Sequence, residues 1–267
     1  MRRFAVRILV AAVALYATVC VSARTMYRRF VYPAPPMRAA GAAGATGERL
    51  SLRASDGVPA TALWFAPPDG GRVVAYFHGN GALADDEVPL ALDLGRRGLG
   101  ALLVEYRGYG ASAKAAKPDE AGLYADAEAA LDEAGRRGVP RERIALWGTS
   151  LGTAVAAEMA RRGRGSTLVL VSPFTSLTDV AARTAWWLPV SWLLPDRYDT
   201  LGKAASIGIP TTIAHGDRDA LVPFAMGEAL ARAIPHATFV PVHGAGHDDV
   251  YDVGGASLVD ALVSACR

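Results

Sequence analysis

The fold of this chain is decided by residues 143–160, RIALWGTSLGTAVAAEMA. A short apolar run is joined there to a helix-like run through Gly148-Thr149-Ser150-Leu151-Gly152. A G-x-S-x-G pentapeptide in this strand–turn–helix context is typical of a nucleophile elbow, which exposes a serine hydroxyl above a sheet. The two glycines permit the sharp bend and the close passage of neighbouring chains. A glycine-lined turn with an incidental serine is the alternative, and the rest of the chain has to decide between the two.

The composition sets bounds on the class of protein. The chain has 267 residues, of which 51% are hydrophobic, and a formal net charge of +2. It is long enough for one large domain with a buried core, and its body has no Lys/Arg-rich block that would indicate nucleic acid. Its two cysteines, Cys20 and Cys266, lie near opposite ends and form neither a disulfide framework nor a metal motif. We therefore expect no metal, no cofactor and no nucleic-acid partner.

The N-terminus has the pattern of a membrane segment. Arg2, Arg3 and Arg7 precede Ile8–Ala23, which carries no charge. That run would span roughly 24 Å as a helix, and including Phe4–Val6, with Arg7 snorkelling, extends it to about the thickness of a hydrocarbon core. The sequence predicts that residues 1–32 are a membrane anchor with a basic flank.

A cleavable signal peptide is the alternative, because Val21-Ser22-Ala23 fits the small-residue cleavage rule. We favour an uncleaved anchor, since the basic residues between Arg24 and Arg29 resemble a stop at a membrane interface. Arginines flank both ends of the segment, so the side of the membrane stays open. Residues 33–47 are rich in Ala, Gly and Pro and are predicted to be a linker, and residues 48–267 form the folded domain.

The body of the chain alternates between predicted strands and helices. Residues 50–53 and 60–65 alternate in polarity around a turn and predict an antiparallel hairpin. Short apolar runs predict six further strands, most of them buried on both faces: 73–77, 101–106, 144–147, 167–171, 211–214 and 238–242. Helical patterns occur at 118–137, 224–234 and 257–265. The prediction is an α/β fold with a mostly parallel central sheet, helices on both faces and an antiparallel N-terminal edge.

An acid and a base follow the serine in the order expected for such a fold, which is Ser, then Asp or Glu, then His. Asp217 and Asp219 both follow the strand at 211–214. We choose Asp219, because Asp217 adjoins Gly216 and is expected to form a turn. His247 lies on a glycine-rich loop before the last helix, whereas its rival His243 lies at the strand end. Ser150, Asp219 and His247 are therefore the predicted catalytic residues.

A second glycine-rich turn follows the strand at 73–77, where such enzymes place half of an oxyanion hole. It contains His78-Gly79-Asn80-Gly81, and the backbone N–H groups of Asn80 and Leu151 are the predicted oxyanion donors. The remaining histidines are given no catalytic role: His215 is expected to be satisfied at a strand end, and His236 to lie on the surface. Arg107, between glycines, is expected to brace the site structurally.

Taken together, these motifs resemble the α/β-hydrolase superfamily. The likeness is carried by six stretches in family order: 78–81, 105–110, 148–152, 172–176, 215–223 and 244–247. It covers about residues 48 to 265 and is closest to membrane-anchored serine hydrolases of the Bem46, ABHD13 and ABHD17 type. The resemblance implies an α/β-hydrolase fold, supports Asp219 over Asp217 and His247 over His243, and favours an anchor over a cleaved signal. It says little about substrate, because this fold supports many chemistries.

A small cap is predicted between the sixth and seventh strands, at about residues 176–206, where the strand–helix alternation is interrupted. Trp186, Trp187 and Trp192 fall within it. As a cover over Ser150 these side chains would bind an acyl chain or face a bilayer, and we name them as candidate substrate-binding residues. Packing of the cap onto the sheet is the alternative.

The function expected from the sequence is hydrolysis of carboxylic esters or thioesters by an activated serine, on small-molecule or lipid-like acyl substrates. A serine aminopeptidase is an alternative, which would need a carboxylate such as Asp179, Asp196 or Asp199 to hold the substrate ammonium. A membrane-tethered interaction protein that keeps the fold without catalysis is another, and the intact Ser–Asp–His order argues against it.

Overall fold

One eight-stranded sheet forms the centre of the molecule. The computed structural model describes residues 2–35, 47–68 and 70–267. The strands are β1 (Glu48–Arg53), β2 (Pro59–Phe65), β3 (Val73–Phe77), β4 (Gly100–Glu105), β5 (Ile144–Thr149), β6 (Thr167–Val171), β7 (Thr211–Gly216) and β8 (Ala237–Val242). Their spatial order is β1-β2-β4-β3-β5-β6-β7-β8. β1 and β2, and β2 and β4, pair antiparallel, and the remaining neighbours pair parallel.

Helices cover both faces of the sheet, and several of them connect its parallel strands. They are α1 (Arg2–Val31), α2 (Val88–Arg96), α3 (Glu120–Arg136), α4 (Leu151–Arg161), α5 (Leu177–Thr184), α6 (Val190–Leu193), α7 (Thr200–Ala204), α8 (Phe224–Ala233) and α9 (Val250–Ala265). α9 is interrupted at Gly255, whose φ is 58° and ψ is −159°. The last helix therefore begins seven residues before the Ser257 predicted from the periodicity, because a short first piece precedes the glycine break.

The central strands are apolar along their whole length because both faces of the sheet are covered. Every residue of β3 and β4 is buried, as are the first five of β5. On one face α3, α4 and the cap pack against the sheet, and on the other α2 and α9 do so. The predicted α/β class, the antiparallel edge and the cap between the sixth and seventh strands are confirmed by this architecture.

The N-terminal helix α1 is long and apolar enough to cross a membrane, with a mean hydropathy of 2.3 over an 18-residue stretch, a property that signal sequences also have. Its first part stands free of the body, but the side chains of Cys20 and Tyr27 are buried. Tyr32, just beyond the helix, is also buried and joins Tyr27 in the main core. The end of the segment assigned to the anchor is thus packed on the folded domain. Most of the predicted linker, residues 36–46, lies outside the described residues.

Candidate active site

Ser150 lies at the junction of β5 and α4 in a strained backbone conformation. Its φ of 50° and ψ of −116° are rare for a residue with a side chain. Gly148 and Gly152 make the bend possible: a Cβ on Gly148 would collide with the backbone of Gly152, and one on Gly152 with the carbonyl of Phe77. The glycines are therefore required by close backbone approach, as the pentapeptide predicted.

Ser150, His247 and Asp219 form one hydrogen-bonded row. The Ser150 Oγ lies 2.9 Å from the His247 Nε2, and the His247 Nδ1 lies 2.7 Å from the Asp219 Oδ2. The His247 side chain is 10% exposed and that of Asp219 is fully buried. Because three loops at the carboxyl ends of β5, β7 and β8 meet at this edge of the sheet, residues far apart in sequence are brought together.

The Asp219 carboxylate is held in its ionised form. Burial disfavours the charge, but hydrogen bonds from His215 and His247 and from the Val222 N–H outweigh it and hold the pKa of Asp219 below its ordinary value. The Leu221 and Val222 amides donate to its Oδ1 over 2.9 and 2.7 Å. Buried His215 places its Nε2 3.3 Å from the Oδ2, a contact that the sequence did not reveal. The carboxylate is thereby fixed and oriented toward His247.

The rival pair lies apart from this row. Asp217 accepts hydrogen bonds from the Gly244 amide over 2.7 Å and lies 2.9 Å from the Nδ1 of His243. The His243 side chain is 81% exposed. This second Asp–His pair ties the end of β7 to the loop that carries His247, which is the turn role expected for Asp217.

The loop after β3 lies against the serine. A Cβ built on Gly79 would be 3.5 Å from the Ser150 Cβ. Among the described residues, the backbone amides of Asn80 and Leu151 have no hydrogen-bond acceptor within the protein. The Asn80 side chain is anchored on both sides, since its Oδ1 accepts from the Tyr109 hydroxyl and its Nδ2 donates to the Val31 carbonyl, each over 2.6 Å.

Two buried pairs of side chains lie at the end of β4, and the first of them was not predicted from the sequence. His78 places its Nε2 3.2 Å from Glu105, both with side chains at most 1% exposed. A glutamate ending an apolar strand was the available signal. Arg107 bonds Asp126 through its side chain and its backbone N–H, and also contacts Asp56. The bracing role expected for Arg107 has this pair as its physical basis.

A largely apolar cavity of about 570 Å³ opens above the serine. Its floor includes Asn80, Ser150 and Leu151, and its walls come from the cap, the loop after β7 and α1. None of the three cap tryptophans lines it, so this cavity gives no support to their predicted role in substrate binding. Their indoles face outward, whereas neighbouring cap residues face the cavity: Leu188, Val190, Leu193 and Leu194.

The three carboxylates considered for an aminopeptidase site are engaged elsewhere. Asp196 accepts from the hydroxyls of Tyr27 and Tyr32, Asp179 from Thr175, and Asp199 caps α7 through the Gly202 amide. No Asp or Glu lines the described cavity, and Arg183 is its single charged lining residue.

Comparison with known proteins gives the family. A family model described as serine aminopeptidase, S33, matches residues 69–201. An uncharacterized protein of Mycobacterium tuberculosis is 36% identical over 241 residues, covering 88% of this chain and 85% of that protein. The human alpha/beta hydrolase domain-containing protein 17B is 32% identical over 186 residues, covering 68% of this chain and 62% of that protein.

Solved structures share the fold. The Pyrococcus furiosus esterase Pf2001 superimposes with a TM-score of 0.70 at 20% identity, over 86% of this chain and 97% of that one. Est1E from Butyrivibrio proteoclasticus gives 0.64 at 18% identity, over 81% and 96%. The curated relatives, together with the eight-stranded sheet and the serine at the β5–α4 junction, show the family. The chain belongs to the α/β-hydrolase superfamily as a hydrolase of the ABHD17-like type.

Proposed function

We propose that the protein is a serine hydrolase that cleaves carboxylic esters or thioesters through an acyl-enzyme. The observation that carries the proposal is the hydrogen-bonded row from buried Asp219 through His247 to Ser150, whose serine borders an apolar cavity. Such a row supplies what a serine needs to act as a nucleophile: a base within reach of its proton and an acid that orients the base.

The proposed reaction has two half-reactions. The Ser150 Oγ attacks the carbonyl carbon while His247 takes its proton, and the bond to the alcohol or thiol breaks as His247 returns that proton to the leaving group. Water then attacks the acyl-Ser150 ester with His247 again as base, releasing the carboxylic acid and restoring the serine hydroxyl. Ionised Asp219 stabilises the imidazolium that forms in each step.

The negative charge that develops on the carbonyl oxygen needs fixed donors. The amides of Asn80 and Leu151 are the candidates, because both residues border the cavity and neither amide is engaged within the described protein. Leu151 also opens α4, so the helix dipole favours an anion there. Losing one such donor costs on the order of 10²–10³ in kcat.

The cavity favours an acyl group over a peptide N-terminus. An ammonium group in the substrate of an aminopeptidase would need a carboxylate partner, and the described lining offers none. Its leucines, valines and alanines instead suit a hydrocarbon chain.

We further propose that α1 is retained as a membrane anchor. Cleavage after Ala23 would remove Tyr16, whose hydroxyl donates to the Trp187 carbonyl over 2.9 Å, and would also remove the buried Cys20. Intact-mass measurement of the protein purified from membranes tests this. The mass of a chain that begins at Arg24 would refute retention of α1, and the mass of the full-length chain would support it.

Labelling with a fluorophosphonate probe tests the catalytic assignment. We expect the wild type to label, Ser150→Ala to lose all labelling, and His247→Ala to fall by at least about 10³-fold in rate because the serine loses its base. His243→Ala, which changes a histidine four residues away and 81% exposed, is the matched control and should label normally. Folded wild-type protein that does not label would refute the proposal and favour a non-catalytic role.

A further inference from the structure

The anchor helix α1 forms one wall of the cavity above Ser150. Ala23, Tyr27, Phe30 and Val31 all border it. Tyr27 follows Ala23 by four residues, and Phe30 and Val31 follow Tyr27 by three and four, which places all of them along one face of the helix. Residues of α5 and α6 also line the cavity, which is therefore bordered by both α1 and the cap.

This wall is fixed to the domain by polar contacts at its end. The Tyr27 and Tyr32 hydroxyls both donate to Asp196, over 3.0 and 2.8 Å, and Arg28 pairs with Asp119 at 3.0 Å. The carbonyl of Val31 accepts the hydrogen bond from Asn80, a residue of the proposed oxyanion loop. The anchor is therefore connected directly to the catalytic edge of the sheet.

The outer surface beside this wall has the character of a membrane interface. Trp186, Trp187 and Trp192 are 80%, 51% and 53% exposed. Arg24 of α1 lies over the Trp192 ring, 5.3 Å from its centroid. Tryptophan beside arginine is typical of the level at which lipid headgroups meet hydrocarbon. Exposed apolar side chains continue along the free part of α1, from Phe4 to Leu15.

The length of the free part of α1 sets the depth of the cap. Tyr16 is the first residue of α1 with a hydrogen bond to the described cap, and the part of the anchor span before it, Phe4–Leu15, is about 18 Å of helix. A hydrocarbon core of about 30 Å exceeds this by about 12 Å. Interfacial helices lie about 5–10 Å deep, so sinking the tryptophan-bearing face of the cap to that depth makes up much of the difference.

We propose that this protein takes its acyl substrate from the bilayer, with residues 23–31 of α1 and the cap helices forming an acyl-chain site that opens toward lipid. The substrate class is a membrane-resident molecule with a long-chain ester or thioester, whose chain lies against α1 while its carbonyl reaches Ser150. The inference rests on the proposed function for its chemistry. It adds that the anchor is a part of the binding site as well as a tether.

Filling the α1 wall tests the site. Ala23→Phe places a ring where the helix borders the cavity, and Ala12→Phe makes the same change eleven residues earlier, three turns away on the same face, in the free part. Full-length variants in detergent micelles are assayed with p-nitrophenyl acetate and palmitate. We expect Ala23→Phe to lower the palmitate-to-acetate ratio of kcat/KM by at least about tenfold, and Ala12→Phe to leave it within about twofold.

The outcomes separate this inference from the proposed function. Labelling of the Ala23→Phe variant by fluorophosphonate serves as the control that this variant is folded. Equal ratios for Ala23→Phe, Ala12→Phe and the wild type would overturn the acyl site while leaving the serine hydrolase intact. Absence of both labelling and ester hydrolysis in the wild type would instead refute the proposed function, and with it the substrate that is assigned to the cavity.

The position of the cap in the bilayer is tested by an experiment that does not depend on catalysis. Wild-type protein is reconstituted in phosphatidylcholine vesicles that carry bromine near the top of the acyl chains, which quenches tryptophan at that depth. Trp64 and Trp147 are buried in the body, so quenching reports the cap. We expect strong quenching in the wild type and its loss in the triple variant W186F/W187F/W192F. An unquenched wild type would overturn entry of substrate from the bilayer.

Discussion

The floor and the roof of the cavity are built in opposite ways. The floor, made by the loops after β3, β5, β7 and β8, holds buried polar groups that are hydrogen-bonded to one another and to nearby backbone amides. The roof, made by the cap and the end of α1, has apolar walls, exposed tryptophans and a few hydrogen bonds centred on Asp196. The difference teaches that the proposed reacting groups are held in place by hydrogen bonds, while the roof offers an apolar surface to the proposed substrate.

The largest effect is expected from the acid of the floor. Asp219→Asn keeps the shape but removes the charge that orients His247, and we expect kcat to fall by about 10³–10⁴-fold. Asp217→Asn is the matched control, two residues away in the same loop but bonded to His243, and should change kcat less than about threefold. Steady-state hydrolysis of a short ester measures both. An equal loss in the two variants would remove the distinction between the aspartates.

The next effect concerns the buried pair of Arg107 and Asp126. Arg107→Met leaves the fully buried Asp126 carboxylate without its cation, and we expect the free energy of unfolding to fall by about 3–5 kcal/mol. Arg136→Met, which removes an arginine that is 64% exposed, should cost less than about 0.5 kcal/mol. Denaturant unfolding followed by circular dichroism compares them. Similar losses would show that Arg107 is no more than a surface charge.

The contact between α4 and the cap helix α7 should stabilise the fold in a pH-dependent way. Glu158 on α4 meets Arg161, Arg162 and Lys203 of α7; burial opposes its ionisation, but these cations lower its pKa to about 2. Its folded pKa lies below the unfolded value, so the stabilisation is complete above about pH 4.5 and is lost as pH falls toward 2.

We expect Glu158→Gln to be destabilised by about 2 kcal/mol at pH 7 and to approach the wild type as the pH falls below 4. Thermal unfolding of both proteins between pH 3 and 7 measures the difference. If the difference in stability between the two proteins stayed constant over this range, ionised Glu158 would not be the source of the stabilisation.

The smallest effect is expected in the roof. Tyr32→Phe removes a buried hydroxyl shared by Asp196 and Tyr198, and we expect about 1 kcal/mol of destabilisation. Tyr16→Phe removes an exposed hydrogen bond to the cap and should change the melting temperature by less than about 1 °C. Thermal unfolding in detergent measures both. If Tyr16→Phe lowered the melting temperature more than Tyr32→Phe, α1 would be held to the domain mainly at Trp187 and less at Asp196.

Much of the floor was predictable, because its residues follow local rules. The pentapeptide at 148–152 requires its glycines for backbone reasons, and Asp219 and His247 follow consecutive strands whose carboxyl ends share one edge of the sheet. The antiparallel edge and the parallel strands were predictable from polarity patterns in the same way. The support from His215 to Asp219, and the pair of His78 with Glu105, were not, because a histidine's partner depends on which loops meet.

The roof shows what a one-dimensional pattern lacks. Tryptophans at 186, 187 and 192 were visible in the sequence, but which side of the cap faces the cavity depends on how its short helices sit on the sheet. The wall made by Ala23, Tyr27 and Val31 had no local signal at all, since an apolar helix has the same pattern whether lipid or protein covers it.

By itself, the sequence determined the α/β class, the nucleophile elbow, the order of serine, acid and base, and a helix apolar enough for a membrane. Periodicity, turn chemistry and close backbone contact are local properties, so the order of residues is sufficient to encode them. Only the tertiary structure decided that His215 contacts Asp219, that the cap tryptophans face outward, and that the end of α1 borders the cavity. Each of these depends on how segments of the chain pack on one another, and it exists only when the chain is folded.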